Sequence, residues 1–267
     1  MMQLERQNLI LEYLMKNRKA TTNELSELLN VSATTIRTDL NHMEHEQLIT
    51  KTHGGALYKA SREESMDLTS RAYYFHDRES ENPTEKNQIA ECALHYIKDN
   101  MCIILDSSST AYALAKKLNG FSQLTVITNG IYTALELKDI PGITVILVGG
   151  IVTQQSASIE SLLGKDLLEK INADIAFVSA RGFSIDGGLT DFSIYEADLK
   201  REFIRHSSRC IALIDHTKFD SSSISCYATA DDINMVISDT GISDYTINAY
   251  KNSGIPIVTL DHSELSE

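Results

Sequence analysis

The chain has 267 residues, 42% of them apolar, and a formal net charge of −13, enough for one large or two modest domains with a real core. No apolar run reaches the roughly 20 residues that a membrane helix requires, and the charges spread through the first 19 residues leave no room for a secretory signal segment. Cys92, Cys102, Cys210 and Cys226 share no metal-ligand spacing and suggest no disulfide framework, so the expectation is a reduced, cytoplasmic protein without metal, cofactor or membrane partner.

The charge is unevenly placed. Residues 1–60 balance Arg6, Lys16, Arg18, Lys19, Arg37, Lys51 and Lys59 against Glu5, Glu12, Glu24, Glu27, Asp39, Glu44 and Glu46. The acidic excess therefore lies wholly in the remainder, a pattern that fits a small DNA-reading head on a body that does not bind DNA. Leu4, Leu9, Ile10, Tyr13 and Leu14 recur at helical spacing and predict a helix over about 3–17. Thr21 and Glu24 form a capping box for a second helix with Leu25, Leu28 and Leu29 inward. Asn30-Val31 ends it, and Ser32 caps a third helix whose Ile36, Leu40 and Met43 face the core. The opposite side presents Thr34, Thr35, Arg37, Thr38 and Asn41: small hydroxyl and amide groups able to reach base edges, with an arginine for guanine or phosphate. Leu48-Ile49-Thr50 and Ala56-Leu57-Tyr58 read as the two strands of a wing joined through His53-Gly54-Gly55, the glycines supplying positive φ. Lys51 and His53 on that wing can meet the DNA backbone or minor groove.

Residues 61–84 read as a polar linker, with Tyr73, Tyr74 and Phe75 packing a linker helix onto the body. Glu85-Lys86, Ile89-Ala90 and Ala93 open a helix that runs to about Lys98 and needs no ligand role. From residue 101 strands and helices alternate: strands at 102–105, 124–128, 143–148, 175–179, 210–214, 235–238 and 256–260, helices at about 110–118, 131–137, 159–170, 194–206 and 243–252. Short continuous apolar strands between helices predict a mostly parallel sheet covered on both faces, with ligands beyond its carboxyl ends. Those ends hold Asp106-Ser107-Ser108-Ser109-Thr110, a candidate anion cradle; Asn129, a donor and an acceptor; Gly149-Gly150, which lets a ligand approach the main chain; Gly182 in the Ala180–Phe183 turn; Glu196 and Lys200, at i and i+4 on one helix face; and Lys218 in Asp215-His216-Thr217-Lys218-Phe219.

The run Val31-Ser32 … Thr34-Thr35-Ile36-Arg37-Thr38-Asp39-Leu40 … His53-Gly54-Gly55-Ala56 resembles the DeoR family of bacterial repressors of sugar metabolism, with Thr38 in place of that family's second arginine. The later order Asp106…Thr110, Thr128-Asn129, Val148-Gly149-Gly150, Gly188-Leu189-Thr190 with Glu196 … Lys200-Arg201, and Asp215…Phe219 is similar to the same family's sensor domain, with Ser108 where a glycine is usual. The resemblance implies a winged helix-turn-helix over 1–60, a linker over 61–84 and, over 85–267, an α/β sensor and oligomerisation domain with a fold like ribose-5-phosphate isomerase. It implies double-stranded operator DNA, a phosphorylated sugar effector and a second copy of the chain (dimer or tetramer) as partners. The competing reading, a sugar-phosphate isomerase or deaminase with an appended DNA-binding head, needs a base beside the substrate carbonyl. Ser179-Ala180-Arg181-Gly182 stands where isomerases of this fold carry an aspartate pair, and no catalytic residue is expected.

Overall fold

A computed structural model describes residues 6, 7, 9, 10, 13, 14, 17, 19–45, 49–52, 54–58, 74–153, 157–160 and 162–260. The chain divides into two compact units, Met1–Arg71 and Ala72–Glu267.

In the first unit the described positions among 6–17 are helical (α1). Then come β1 (Lys19–Thr21), α2 (Thr22–Leu29), α3 (Ala33–His45), β2 (Ile49–Thr52) and β3 (Gly55–Tyr58). The capping box forms as expected: the Glu24 amide donates to Thr21 Oγ1 at 3.2 Å and the Thr21 amide to Glu24 Oε2 at 2.7 Å. Asn30, at φ 50°, takes the left-handed conformation that stops α2. The Thr35 amide donates to Ser32 Oγ at 3.1 Å, so Ser32 caps α3. Ile10, Leu14, Leu25, Ile36, Leu40, Met43 and Ile49 close one core, each contributing about 1.5–3 kcal/mol by leaving water. Beneath it the Arg6 guanidinium forks onto buried Asp39 of α3.

Two readings of the head change. The wing is a three-stranded sheet in the order β1-β3-β2, because Lys19-Ala20-Thr21 pairs with β3 as well. The sequence gives that strand no signal: it is three residues of mixed polarity. Gly54 and Gly55 do not take the positive φ expected of them; Gly55 is required instead by this pairing, since a Cβ there would sit 2.0 Å from the Ala20 carbonyl oxygen. His53 and Leu48 lie outside the described residues.

The second unit opens with α4 (Phe75–Ser80), where a linker helix is expected, and α5 (Pro83–Leu94), which ends short of the expected Lys98. As expected, Phe75 packs α4 onto the body, against Tyr112 and Tyr132 at ring-centroid distances of 5.3 and 4.6 Å; Tyr73 lies outside the described residues. Next come β4 (Cys102–Leu105), α6 (Ser109–Ala115), β5 (Leu124–Thr128), α7 (Ile131–Leu137), β6 (Ile143–Leu147), β7 (Ile151–Val152), β8 (Ile159–Glu160) and α8 (Lys165–Leu168). The chain continues through β9 (Ile175–Val178), β10 (Gly182–Ser184), β11 (Gly188–Asp191), α9 (Ile194–Arg205), β12 (Cys210–Leu213), β13 (Ser225–Ala228), β14 (Met235–Ile237), α10 (Asp244–Asn252) and β15 (Ile257–Val258).

Seven strands form one sheet in the order β15-β14-β12-β9-β4-β5-β6, and each pairing is parallel. The alternation of side chains across a strand explains its continuous apolar runs. Ile103, Leu105, Phe177, Ile211 and Leu213 face α5, α6 and α7, while Ile104, Ala176, Val178, Ala212 and Val236 face α9, α10 and the smaller antiparallel sheet β10-β11-β13. The expected helix over 159–170 is instead β8, a 3-10 turn at Leu162–Gly164 and the short α8. Ile159 and Glu160 pair with β7. Gly164 packs so close to Val148 and Gly149 that a Cβ would lie 2.5 Å from the valine methyl.

From β4 the chain winds outward through β5 and β6; from β9 it winds the other way through β12, β14 and β15. The switch point therefore lies between β4 and β9, and a crevice opens beyond their carboxyl ends. One side chain ties these ends together. Lys200, on α9 and 2% exposed, donates from Nζ to Asp191 Oδ2 and to the Ser179 carbonyl oxygen, both at 2.7 Å, and lies 3.1 Å from Asp106 Oδ2 and 3.6 Å from Glu196 Oε1. Asp106 ends β4 and also accepts from the Ser179 amide at 2.8 Å, beyond β9. Removing one partner of such a buried network leaves uncompensated charge. Lys200→Met is accordingly expected to cost the second unit about 3–5 kcal/mol, seen as a lowered urea midpoint for tyrosine fluorescence; an unfolding free energy within ~0.5 kcal/mol of wild type, the scale of neutral surface changes, would remove Lys200 from that role.

Candidate functional site

On the head, Ser32, Thr34, Arg37, Thr38 and Asn41 are exposed and Thr35 is half-buried. These side chains line one face of α3 because Ile36, Leu40 and Met43 hold the other in the core. Four of them are already engaged, Ser32 and Thr35 with each other, hydroxyl to hydroxyl, at 2.8 Å. Thr38 Oγ1 donates back to the Thr34 carbonyl at 3.1 Å. Asn41 Oδ1 accepts from Lys51 Nζ of β2, which joins the wing to the helix. Arg37 has no ion pair among the described residues, so its guanidinium is available to a phosphate or a guanine edge.

In the body, a cavity of about 260 Å³ lies at the switch point. Ser108 and Ser109 follow β4, Ser179, Ala180 and Arg181 follow β9, Asp191 and Phe192 end β11, Lys200 comes from α9, and Asp215, Thr217 and Lys218 follow β12. The remaining wall is Arg78 and Glu81 at the end of α4, Asn82, and Lys86 of α5.

The cations differ in how far they are committed. Lys200 has three N–H groups and three short-range acceptors, so none remains for a ligand. Burial opposes its charge, but Asp106, Asp191 and Glu196 outweigh burial and hold it protonated far above the ordinary lysine range. Glu196 is the counterpart. Burial raises its carboxyl against the pull of Lys200, and Ser107 donates to its Oε1 at 2.9 Å. The i, i+4 pair that would ordinarily mark a solvated helix face is thus the interior of the site. Lys218 lies 3.2 Å from Asp215 Oδ2 and 3.3 Å from Ser179 Oγ. Burial alone would raise Asp215, yet Lys218, Thr217 and Lys86 bring it below the usual carboxylate range. Lys86 is lowered to about 8, by burial first and by the charge of Lys218 second. Its Nζ donates to the carbonyl oxygens of Arg78 and Glu81. Arg181 is exposed and makes no ion pair among the described residues.

Several expected site residues stand elsewhere. Asn129 is buried behind the wall, its Nδ2 donating to the Ile159 carbonyl at 3.0 Å and to Ser107 Oγ at 3.3 Å. Ser107, Thr110 and Glu196 share that buried layer and do not line the cavity. Gly149 and Gly150 are exposed beyond β6, two strands from the switch point. Gly182 is small for packing: a Cβ would meet the Ser221 backbone at 2.8 Å. Ser108, in the glycine position of the family pattern, has an extended backbone with φ −73°, which any residue adopts. Its hydroxyl accepts from the Ala111 amide at 3.0 Å and donates to Asp106. Lys86 is the principal residue that sequence reasoning missed; its only signal is a lysine among the inward positions of an otherwise apolar helix face.

Among the described residues no His, Cys, Asp and Glu side chains cluster to hold a metal ion, and no helix is long and apolar enough to cross a membrane.

Residues 6–62 match the DeoR-like helix-turn-helix domain and residues 81–240 the DeoR C terminal sensor domain. The chain is 47% identical to the HTH-type transcriptional regulator GolR of Listeria innocua, over 96% of this chain and 98% of GolR. It is 31% identical to the HTH-type transcriptional repressor GlcR of Bacillus subtilis, over 99% of each. The ribose 5-phosphate isomerase of Methanocaldococcus jannaschii superposes with a TM-score of 0.36 at 17% identity, over 50% of this chain and 53% of the isomerase. A DNA-reading helix-turn-helix unit and an α/β unit with a basic cavity at its switch point thus share one chain, and that chain belongs to the DeoR family of transcriptional regulators.

Proposed function

We propose that the protein is a cytoplasmic, homo-oligomeric repressor of a carbohydrate-utilisation operon whose operator affinity is set by a phosphorylated sugar in the cavity. The observation that carries this reading is the division of labour among the lysines. Lys200 is spent on holding the strand ends, while Lys86, Lys218 and exposed Arg181 face the cavity. Ser109 lines the same wall and offers its hydroxyl to a sugar hydroxyl. Repressor action has precedent among relatives: GlcR is a transcriptional repressor, and another relative, at 26% identity in Escherichia coli O157:H7, is a putative aga operon transcriptional repressor.

Catalysis fits the same cavity poorly. Proton abstraction beside a carbonyl needs a free carboxylate or an equivalent base. Asp106, Asp191 and Glu196 are all held by Lys200, and Ser179-Ala180-Arg181 offers no acid after β9. A cavity that binds and does not turn over is what a sensor requires.

In the proposed mechanism two heads read two half-sites through α3, and the bodies set their separation. Occupancy of the cavity favours the arrangement in which that separation does not match the groove. Replacing Arg37 with Ala should weaken operator binding by about 1–3 kcal/mol in a gel-shift titration; unchanged binding would show that α3 is not the reader. A phosphate ester is expected to bind best while Lys86 is protonated. Lys86 is faced by Arg78 and Glu81 of α4 and by Asp215 and Lys218 beyond β12. The ester stays dianionic above a second pKa of about 6, so calorimetric affinity for it should fall about tenfold between pH 7 and pH 9 as the amine deprotonates. Lys86→Met should bind weakly and flatten the profile; a wild-type affinity independent of pH across that window would take Lys86 out of the site.

A further inference from the structure

The cavity wall contributed by residues 78–86 is also the entrance of the chain into the body. The second compact unit starts at Ala72, and α4 is its first described helix. Three of the contacts that fix α4 bear on the cavity wall. Phe75 packs between Tyr112 of α6 and Tyr132 of α7. Glu79 pairs with Lys116 at 2.6 Å. The last turn, whose carbonyls have no partner within the helix, is held by Lys86: its ammonium accepts no bond and donates to the carbonyl oxygens of Arg78 and Glu81. Asn82 follows directly, in the left-handed conformation at φ 47°. It makes no side-chain cap for α5 and turns its amide toward Asp215 and Thr217, at 3.4 Å from each.

We propose that Lys86 couples occupancy of the cavity to α4: an anion bound there takes the third N–H of the ammonium, keeps the other two on the Arg78 and Glu81 carbonyls, and clamps the α4–α5 turn. This rests on the reading of the cavity as an anion site, and it adds which element carries the signal. Two features of the site support it. Lys200, the other buried lysine, has its three N–H groups on protein acceptors and cannot respond. Lys86 has two backbone acceptors and borders the cavity, so its state depends on what the cavity holds. The turn it holds contributes Arg78, Glu81 and Asn82 to the same wall, so an anion bridging this turn to Lys218 engages both sides of the crevice. The turn ends α4, the first described helix after the boundary of the two units at Arg71, so ordering it acts through α4 on the chain as it leaves for the head.

Hydrogen–deuterium exchange of the full chain, with and without inorganic phosphate, tests this, with calorimetry in parallel to show binding. In the wild type, phosphate should slow exchange of residues 76–82 at least about threefold. Lys86→Met should lose that protection, whereas Lys86→Arg, which keeps the charge and its donors, should retain it. Lys116→Ala loosens α4 without touching the cavity; it should raise exchange of 76–82 in the absence of phosphate and still show protection on binding. Phosphate that binds by calorimetry yet leaves residues 76–82 unchanged overturns the coupling while sparing the anion site. Equal protection in wild type and Lys86→Met overturns the role of Lys86. An absence of phosphate binding removes the anion site itself, and the coupling with it.

Discussion

The body of this regulator depends on one ammonium group in the wrong solvent. Lys200 is 2% exposed, and its charge survives only because Asp106, Asp191 and the Ser179 carbonyl surround it at 2.7–3.1 Å. Those acceptors come from the end of β4, from beyond β9 and from β11, the segments that border the topological switch point. A lysine in that place is costly to bury and costly to unpair, so these three segments and α9 are held in one geometry. Tyr227 completes the enclosure. Its hydroxyl donates to the Ser179 carbonyl at 2.8 Å and its ring lies 5.2 Å from Lys200 Nζ, a cation–π contact between buried groups.

That arrangement decides what the cavity can do. A lysine that neutralises carboxylates makes them poor bases and is itself no anion receptor. The groups that remain for a ligand are the outer cations, Lys86, Lys218 and Arg181, and the hydroxyls at the strand ends. A rigid floor with a responsive rim is a sensible construction for a sensor, because only the rim has states that occupancy can bias. The head shows the same economy: Ile36, Leu40 and Met43 fix α3 in the core, which leaves Arg37 free on the opposite face.

Much of this was legible in the sequence. The capping box at Thr21 and Glu24, the Ser32 cap and the positions of the parallel strands along the chain follow from local chemistry and from apolar runs with short spacings. The misreadings share a cause, which is that tertiary contacts gave weak local signals a decisive role. Lys86 reads as a surface residue until the Arg78 and Glu81 carbonyls are brought to it. Residues 159–170 have helical periodicity, and pairing with β7 together with the packing of Gly164 overrides it. Gly149 and Gly150 look like a ligand approach but lie two strands from the crevice, a distance set by strand order and invisible in spacing. Glu196 and Lys200 do share one helix face; only the depth of that face was hidden.

The most direct measurement of the central claim is operator affinity of the full chain across a panel of phosphorylated sugars, with the reciprocal titration of sugar phosphate against the protein–operator complex. The account predicts that at least one member shifts operator affinity about tenfold or more, a coupling of about 1.4 kcal/mol, and that the same factor appears in the affinity for that sugar when operator is bound. Operator affinity that is identical with every phosphorylated sugar, each shown to occupy the cavity, would contradict it.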